Sequence, residues 1–362
     1  MSRPLHGGNL AWAAALAGCP LSLILDFSAS INPLGPPQSA IAAIQAACDR
    51  LSAYPDPSYS SLRQSLANYH HLNPDWVLPG NGSAELLTWA GRELAQLEQT
   101  LLLTPAFGDY GRAMQAFSGS VRPYPLPIAT NSQSLDAAEA LAGCLSLTEQ
   151  SSNQLGLLLN NPHNPTGLLF SLESLRPWLE RFALVVVDEA FMDFLPPTEQ
   201  QSLIDLVPEY ENLVILRSLT KFYSLPGLRI GYAIAQPERL QRWQQWRDPW
   251  PVNVLAEAAT QAILADTEFQ ARTWAWLPPA RAQLYNGLTA LPGLTPLPGA
   301  ANFLLVECQR PVEQVQAKLL QHAQILIRDC QSFPELGDRY FRVAVRTEAE
   351  NQRLLMTLAE VL

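Results

Sequence analysis

The feature that most constrains the fold is an alternation of short apolar runs with helical patterns between about residues 80 and 235. This alternation predicts a parallel sheet with helices on both of its faces. The run Ala183–Asp188 is apolar without alternation, as expected for a strand buried on both faces. We therefore predict an α/β fold with strands at Thr100–Thr104, Gly156–Asn160, Ala183–Asp188, Leu213–Arg217 and Ile230–Ala235.

A second, smaller domain is indicated after the segment Arg-Asp-Pro-Trp-Pro-Val, where Pro249 and Pro251 interrupt regular structure. A helical stretch over 255–291 follows, and then strands over 302–308, 325–328 and 340–345. The first 45 or so residues have no obvious place in the central sheet. We predict a large domain over 46–250 and a small α+β domain formed by 1–45 and 251–362.

Charge and composition exclude several classes of partner. The chain carries 33 acidic and 23 basic residues, a net charge of −10, and no run of Lys or Arg, so neither nucleic acid nor an anionic membrane is expected as a partner. Five scattered cysteines without C-x-x-C spacing predict neither a disulfide framework nor a metal site, and they suit a reducing cytoplasm.

Leu16–Cys19 resembles a lipoprotein cleavage box, although its flanks favour an amphipathic helix over export.

The chain has only two lysines, Lys221 and Lys318, so lysine-dependent chemistry has two candidates. Lys221 follows an apolar strand, with Ser218 and Thr220 just before it and Arg229 eight residues further on. A lysine among hydroxyls and a guanidinium at a strand end is suited to forming a Schiff base beside a bound phosphate. The alternative is an ordinary surface lysine.

Two more strand ends carry polar side chains. Asp188 ends a buried run at the edge where ligand sites of α/β sheets open, and its carboxylate could pair with a protonated pyridine nitrogen. The alternative is a helix-capping or loop acid. Asn164 lies in Asn160–Gly167, where two X-Pro steps disfavour helix, so its amide could meet a ring hydroxyl.

An anion site is predicted at Gly80-Asn81-Gly82-Ser83-Ala84, which leads into an apolar-periodic helix. The free N–H groups and the positive dipole of that helix end would face whatever the glycines allow to approach. Ordinary capping by Ser83 is compatible with this interpretation. Tyr110 follows the next strand, where it could stack on a planar cofactor or belong to the core.

Together the four motifs resemble the fold-type I pyridoxal-phosphate (PLP) enzymes over nearly the whole chain. The resemblance implies PLP as cofactor, a large domain with a mixed, mostly parallel sheet, a small α+β domain and a homodimer with active sites at the subunit interface. It further implies Lys221 as the catalytic Schiff-base lysine. The remaining cofactor-binding residues it implies are Asp188 at the pyridine nitrogen, Asn164 at the ring hydroxyl, Ser83, Ala84, Ser218 and Arg229 at the phosphate, Tyr110 stacking, and Tyr54 reaching the neighbour's phosphate.

Within that class the chain resembles the threonine-phosphate decarboxylases of cobalamin synthesis, with the histidinol-phosphate aminotransferases as close relatives. The matching stretches are His6-Gly7-Gly8-Asn9, Asp26–Gly35, Ile327–Pro334 and Phe341–Thr347. The resemblance implies decarboxylation of O-phospho-L-threonine to 1-aminopropan-2-ol phosphate, with transamination of the histidinol-phosphate type as the alternative. The substrate-binding residues it implies are His6, Gly7, Ser30, Asn164, Arg328 and Arg342.

Two positions depart from these families. Ser30 stands where the decarboxylases usually carry an asparagine, so its contact to the substrate is expected to be shorter or bridged by water. Phe191 replaces the tyrosine with which aminotransferases hydrogen-bond the ring hydroxyl. The loss of that donor argues mildly against plain transamination.

Overall fold

The computed structural model describes residues 4, 6–128 and 154–362, and most of its strands belong to one mixed sheet. The strands are β1 (Leu25–Asp26), β2 (Val77–Asn81), β3 (Gln99–Thr104), β4 (Val121–Pro125), β5 (Leu155–Asn160), β6 (Leu184–Asp188), β7 (Leu213–Ser218), β8 (Ile230–Ile234), β9 (Leu294–Pro296), β10 (Phe303–Cys308), β11 (Ile325–Leu326), β12 (Arg328–Asp329) and β13 (Tyr340–Ala344). The main sheet has the order β2-β8-β7-β6-β5-β3-β4, and β8 runs antiparallel to both of its neighbours. The predicted α/β fold with a mixed, mostly parallel sheet is confirmed.

Helices cover both faces of this sheet. The α-helices are Leu10–Ala17, Gln38–Ala46, Ser60–Tyr69, Ser83–Leu94, Gly108–Gln115, Leu172–Leu179, Leu219–Phe222, Pro237–Trp246, Val254–Leu264, Thr267–Thr289, Val312–Ala323 and Glu348–Val361. Successive residues of one strand belong to different core clusters, as Val185 and Val187 pack on one face of β6 while Val186 packs on the other. A strand that contacts core on both faces has no polar position, which explains the absence of alternation in its sequence.

A second, four-stranded sheet has the order β12-β13-β10-β9, and the short pair β1 and β11 is parallel. The pairing of Leu25–Asp26 with Ile325–Leu326 joins the beginning of the chain to its last third. The division into 46–250 on one side and 1–45 with 251–362 on the other stays a prediction.

Two predicted elements were each too long. The helical stretch over 255–291 consists of two helices, because the Asp266 side chain accepts the backbone N–H of Phe269 and starts a new helix there. The strand over 325–328 is divided as well: β11 pairs with β1, whereas β12 pairs with β13.

The Leu16–Cys19 segment closes a helix. Leu10–Ala17 ends at Gly18, whose φ of +66° suits glycine, and Ala13 of this helix is fully buried against Leu320 and Leu326. None of the helices in the described ranges is long and apolar enough to cross a bilayer.

Candidate active site

A cavity of about 220 Å³ opens at the edge of the main sheet where β5, β6 and β7 have their carboxyl ends. The antiparallel strand β8 begins at this same edge, so loops from several strands converge there. The cavity brings together every predicted site residue except Tyr54: His6, Gly7, Ser30, Ser83, Ala84, Tyr110, Asn164, Asp188, Ser218, Lys221, Arg229, Arg328 and Arg342.

The predicted anion site lies at the first turn of helix Ser83–Leu94. Gly82 has a φ of +74°, and a Cβ there would lie 2.5 Å from Nη2 of Arg229. A Cβ on Gly231 would lie 2.5 Å from the backbone nitrogen of Ser83. Both glycines are therefore required for the guanidinium and the helix end to approach each other. The result is a set of N–H donors around one point, which suits a phosphate.

Hydroxyl groups complete this side of the cavity. The Ser218 and Thr220 hydroxyls lie 2.8 Å apart, and both residues line the cavity next to Arg229. Thr220 was not assigned a site role from the sequence, although its place two residues after Ser218 in the lysine motif could have indicated one.

Lys221 lies on the single-turn helix Leu219–Phe222, directly after β7. Burial, together with the positive charges of Arg342 and Arg229, lowers the pKa of Lys221 to about 8, and Asp188 acts in the opposite direction. A larger fraction of its amine is therefore neutral, and hence nucleophilic, near neutral pH than for an exposed lysine.

Asp188 is buried at the end of β6 and receives two hydrogen bonds. The Tyr110 hydroxyl donates to Oδ2 over 2.9 Å, and the Ala190 backbone N–H donates to Oδ1 over 3.0 Å. Burial raises the pKa of Asp188, and these hydrogen bonds and the charge of Lys221 oppose that shift. A buried carboxylate that faces a cavity is a natural partner for a cationic group on a ligand.

Tyr110 is almost fully buried, and its hydroxyl is committed to Asp188. Its predicted stacking role stays a prediction. A second aromatic side chain, Phe107, also lines the cavity, with its ring edge-on to Tyr110 at 5.7 Å. Phe107 had no assigned role in the sequence reasoning.

Arg328 and Arg342 form a cross-strand pair at the other end of the cavity. They are direct partners in the β12–β13 ladder, which places both side chains on one face of the sheet. Their exposed fractions are only 6% and 8%. Burial, with a contribution from the like charge of Arg328, lowers the pKa of Arg342 to about 10. Like charges opposite each other are unfavourable, so this pair favours an anionic ligand.

Arg342 also fixes the orientation of Asn164. Its Nη1 donates to Asn164 Oδ1 over 2.5 Å, and its Nη2 donates to the Ser28 carbonyl over 3.3 Å. Its Nε has no hydrogen-bond partner within the described residues, and its guanidinium lies 4.8 Å from the centre of the Phe303 ring. Because Asn164 Oδ1 is occupied, the amide nitrogen is left to donate to a ligand.

The two departures from the family patterns both lie in the cavity wall. Ser30 is 3% exposed, and its hydroxyl has no partner among the described residues. Phe191 packs edge-on against Phe303 at 5.0 Å between ring centres. Ser30 thus offers an unused polar group to a ligand, whereas Phe191 offers only apolar surface.

Tyr54 lies outside the cavity of its own chain. It is 78% exposed and stacks on Trp250 at 4.3 Å between ring centres. Its predicted role at a neighbouring subunit's phosphate stays a prediction.

The polar groups in this cavity fit a planar, phosphorylated cofactor with a ring nitrogen. The anion site around Gly82 would bind the phosphate, and Asp188 would bind the ring nitrogen. The amide nitrogen of Asn164 would donate to the ring hydroxyl, and Lys221 would bond to the carbonyl carbon. In residues 4, 6–128 and 154–362, no three His, Cys, Asp or Glu side chains are grouped to hold a metal ion.

The chain belongs to the aminotransferase class I and II family, whose model matches residues 23–358. It is similar to the threonine-phosphate decarboxylase of Salmonella typhimurium, with 39% identity over 99% of this chain and 96% of that protein. It is 28% identical to an adenosylcobalamin biosynthesis bifunctional protein of Leptospira interrogans, over 100% of this chain and 41% of that protein. The crystal structure of histidinol-phosphate aminotransferase from Clostridium acetobutylicum is similar to it with a TM-score of 0.83 and 28% identity, over 93% of this chain and 99% of that one.

Proposed function

We propose that this protein is a PLP-dependent decarboxylase that converts O-phospho-L-threonine to 1-aminopropan-2-ol phosphate for the side chain of cobalamin. The observation that carries the proposal is the buried cross-strand pair of Arg328 and Arg342. Two guanidinium groups that face one cavity match the double negative charge of a phosphate. The resemblance to decarboxylases and to a cobalamin biosynthesis protein supports the choice of substrate.

The cofactor side of the cavity would serve PLP. Bound PLP supplies a ring that accepts the electron pair left on the substrate Cα when a bond to that carbon breaks. Asp188 would keep a proton on the ring nitrogen, and Lys221 Nζ would hold the cofactor until the substrate amine replaces it. The anion site around Gly82, with Ser83, Ser218 and Arg229, would bind the phosphate of PLP.

The substrate group that the arginine pair binds affects which bond at Cα breaks. An ion pair with the substrate carboxylate would stabilise the ground state and be lost as neutral CO2 departs, which slows decarboxylation. We therefore assign Arg328 and Arg342, with His6, to the substrate phosphate. When these residues bind the phosphate, the substrate carboxylate can point out of the plane of the PLP ring.

Two other residues act on the reacting atoms. Lys221 Nζ, with its pKa lowered to about 8, exchanges a proton readily near neutral pH and would return one to Cα after CO2 leaves. Phe191 places no donor in the cavity, which leaves Asn164 as the donor assigned to the ring hydroxyl.

The second candidate function is an aminotransferase of the histidinol-phosphate type, which the similarity to that enzyme favours. Histidinol phosphate also carries a phosphate for the arginine pair, but it has no carboxylate at Cα. That reaction needs a 2-oxo acid as amino acceptor, whereas decarboxylation needs no second substrate.

The same proposal includes a cytoplasmic homodimer whose sites are completed across the interface by Tyr54. The exposure of the Tyr54–Trp250 stack supports it, because large exposed aromatic groups are common where a partner binds.

The test is incubation of the PLP-loaded protein with O-phospho-L-threonine, with and without 2-oxoglutarate, while CO2 and the amine product are measured. We expect equal release of CO2 and amine and no effect of 2-oxoglutarate, with Lys221→Ala as the inactive control. Faster turnover of histidinol phosphate with 2-oxoglutarate would instead establish the aminotransferase.

A further inference from the structure

The start of the chain forms a strap, residues 6–9, along the substrate end of the cavity. His6 and Gly7 line the cavity, and the His6 ring lies 5.6 Å from the Phe107 ring. Asn9 begins the helix Leu10–Ala17. The helix therefore anchors the carboxyl end of the strap. Residues 6–8 need other contacts to stay beside the cavity.

Ser28 supplies the main contact. Its hydroxyl accepts the backbone N–H of Gly8 over 2.7 Å and donates to Asp26 Oδ1 over 2.6 Å. Its backbone N–H donates to the same carboxylate oxygen over 2.7 Å. Because Asp26 takes the hydroxyl proton, the lone pairs of Ser28 Oγ face the strap, and its orientation is fixed.

Ser28 is also in contact with the arginine pair. Its carbonyl accepts Nη2 of Arg342 over 3.3 Å, and Nη1 of Arg328 donates to the Pro4 carbonyl over 3.4 Å, just before the strap. A Cβ on Gly7 would lie 2.2 Å from the Ser28 carbonyl oxygen, so the strap passes directly against this residue. Ser28 thus contacts the strap through its hydroxyl and Arg342 through its backbone carbonyl.

We propose that Ser28 is a positioning residue that couples the strap to the arginine pair, so that an anion on the arginines and the strap in this position stabilise each other. This proposal rests on the proposed function only in naming a phosphorylated substrate. Coupling of this kind is reciprocal: an anion that orders the arginine pair stabilises the strap, and a strap that is held in place raises the affinity for the anion.

The test measures amide hydrogen exchange of the segment 6–12 with and without inorganic phosphate. In the wild-type protein we expect phosphate to slow this exchange. Ser28→Ala removes the acceptor for Gly8 N–H, so basal exchange should rise about threefold to tenfold, and the effect of phosphate should be lost. Ser22→Ala, an exposed serine of the same part of the chain, is the matched control and should behave as wild type.

A second variant reaches the same contact from the strap. Gly7→Ala would place a Cβ 2.2 Å from the Ser28 carbonyl oxygen, so the strap and Ser28 have to separate there, and we expect the same loss of phosphate-dependent protection. In kinetic assays Ser28→Ala should raise KM for O-phospho-L-threonine about threefold to tenfold and leave kcat within about twofold. A role in stability alone would lower the unfolding temperature and leave the phosphate effect intact.

Wild-type protection by phosphate in Ser28→Ala, or no protection by phosphate in the wild type, would overturn the proposal. Neither result depends on catalysis, because inorganic phosphate is not turned over. If the decarboxylation assay failed while phosphate still protected the strap through Ser28, the proposed function would be wrong and the coupling would stand.

Discussion

Replacement of Arg328 by alanine tests the assignment of the substrate phosphate most directly. Arg328 is 6% exposed, and burial lowers the pKa of its guanidinium, so a phosphate bound there meets a desolvated cation. Removal of one partner of such a pair typically costs about 2 to 5 kcal/mol. The same substitution relieves the repulsion of Arg342 across the β12–β13 ladder, which is on the order of 0.2 to 1 kcal/mol.

We therefore expect a net cost of about 1 to 4.8 kcal/mol, or roughly 5- to 3,000-fold in kcat/KM for O-phospho-L-threonine. L-Threonine has no phosphate, so its slow decarboxylation should change less than about threefold. The assay is CO2 release from each substrate under kcat/KM conditions. Arg272→Ala, an exposed arginine of helix Thr267–Thr289, is the matched control and should alter neither rate.

Equal losses for the two substrates would refute the reasoning, because they would show that Arg328 acts on something other than the phosphate. Arg328 also has a contact that would serve such a structural role, because its Nη2 donates to the Ser332 hydroxyl over 2.6 Å. Thermal unfolding of Arg328→Ala separates the two explanations, since a structural role predicts a lowered unfolding temperature in the absence of any substrate.

Four further predictions concern the cofactor side and the subunit interface. Borohydride reduction of the PLP-loaded protein should leave a pyridoxyl group on Lys221, as found by peptide mass spectrometry; a group on Lys318 would contradict the site. Because the amine reacts only when neutral and the pKa of Lys221 is about 8, capture of PLP by the cofactor-free protein should accelerate with rising pH and level off above about pH 8; a continued rise towards pH 10.5 would indicate an unshifted lysine. Asp188→Asn should still bind PLP but lose most turnover, measured as CO2 release, because an amide does not hold the ring nitrogen protonated. Mixed dimers of Lys221→Ala and Tyr54→Ala chains should regain part of the activity lost in each parent, and demonstrably mixed dimers without any activity would exclude a shared site.

The strand ends could be predicted from sequence because their signals are local. Val185, Val186 and Val187 are apolar in succession, and the polar residue that follows such a run lies at the edge where sites form. The two strands of the main sheet that were missed break this pattern: β2 contains Pro79 and Gly80, and the edge strand β4 has two prolines and exposed positions.

The substrate end of the site could not be derived from the residues alone. Arg328 and Arg342 are neighbours because of the register between β12 and β13, which no local pattern specifies, and only the family resemblance singled them out. The contact of Ser28 with Gly8 likewise joins residues 20 positions apart, with the helix Leu10–Ala17 and β1 between them. Such contacts depend on tertiary packing, which hydrophobic periodicity does not encode.

The parallel pairing of Leu25 with Ile325 joins two segments that the ribosome synthesises far apart in time. Between Asn9 and Asp26 the chain has no charged side chain, and this stretch emerges from the ribosome 300 residues ahead of its strand partner. At typical synthesis rates the delay is about 15 to 60 s. During this time Leu25 and Asp26 have no strand partner, and Arg328 and Arg342, which pair between β12 and β13, have not been synthesised. The arginine end of the cavity is therefore among the last parts of the site to be made, and the uncharged stretch between Asn9 and Asp26 has to wait for Leu320 and Leu326, against which it packs.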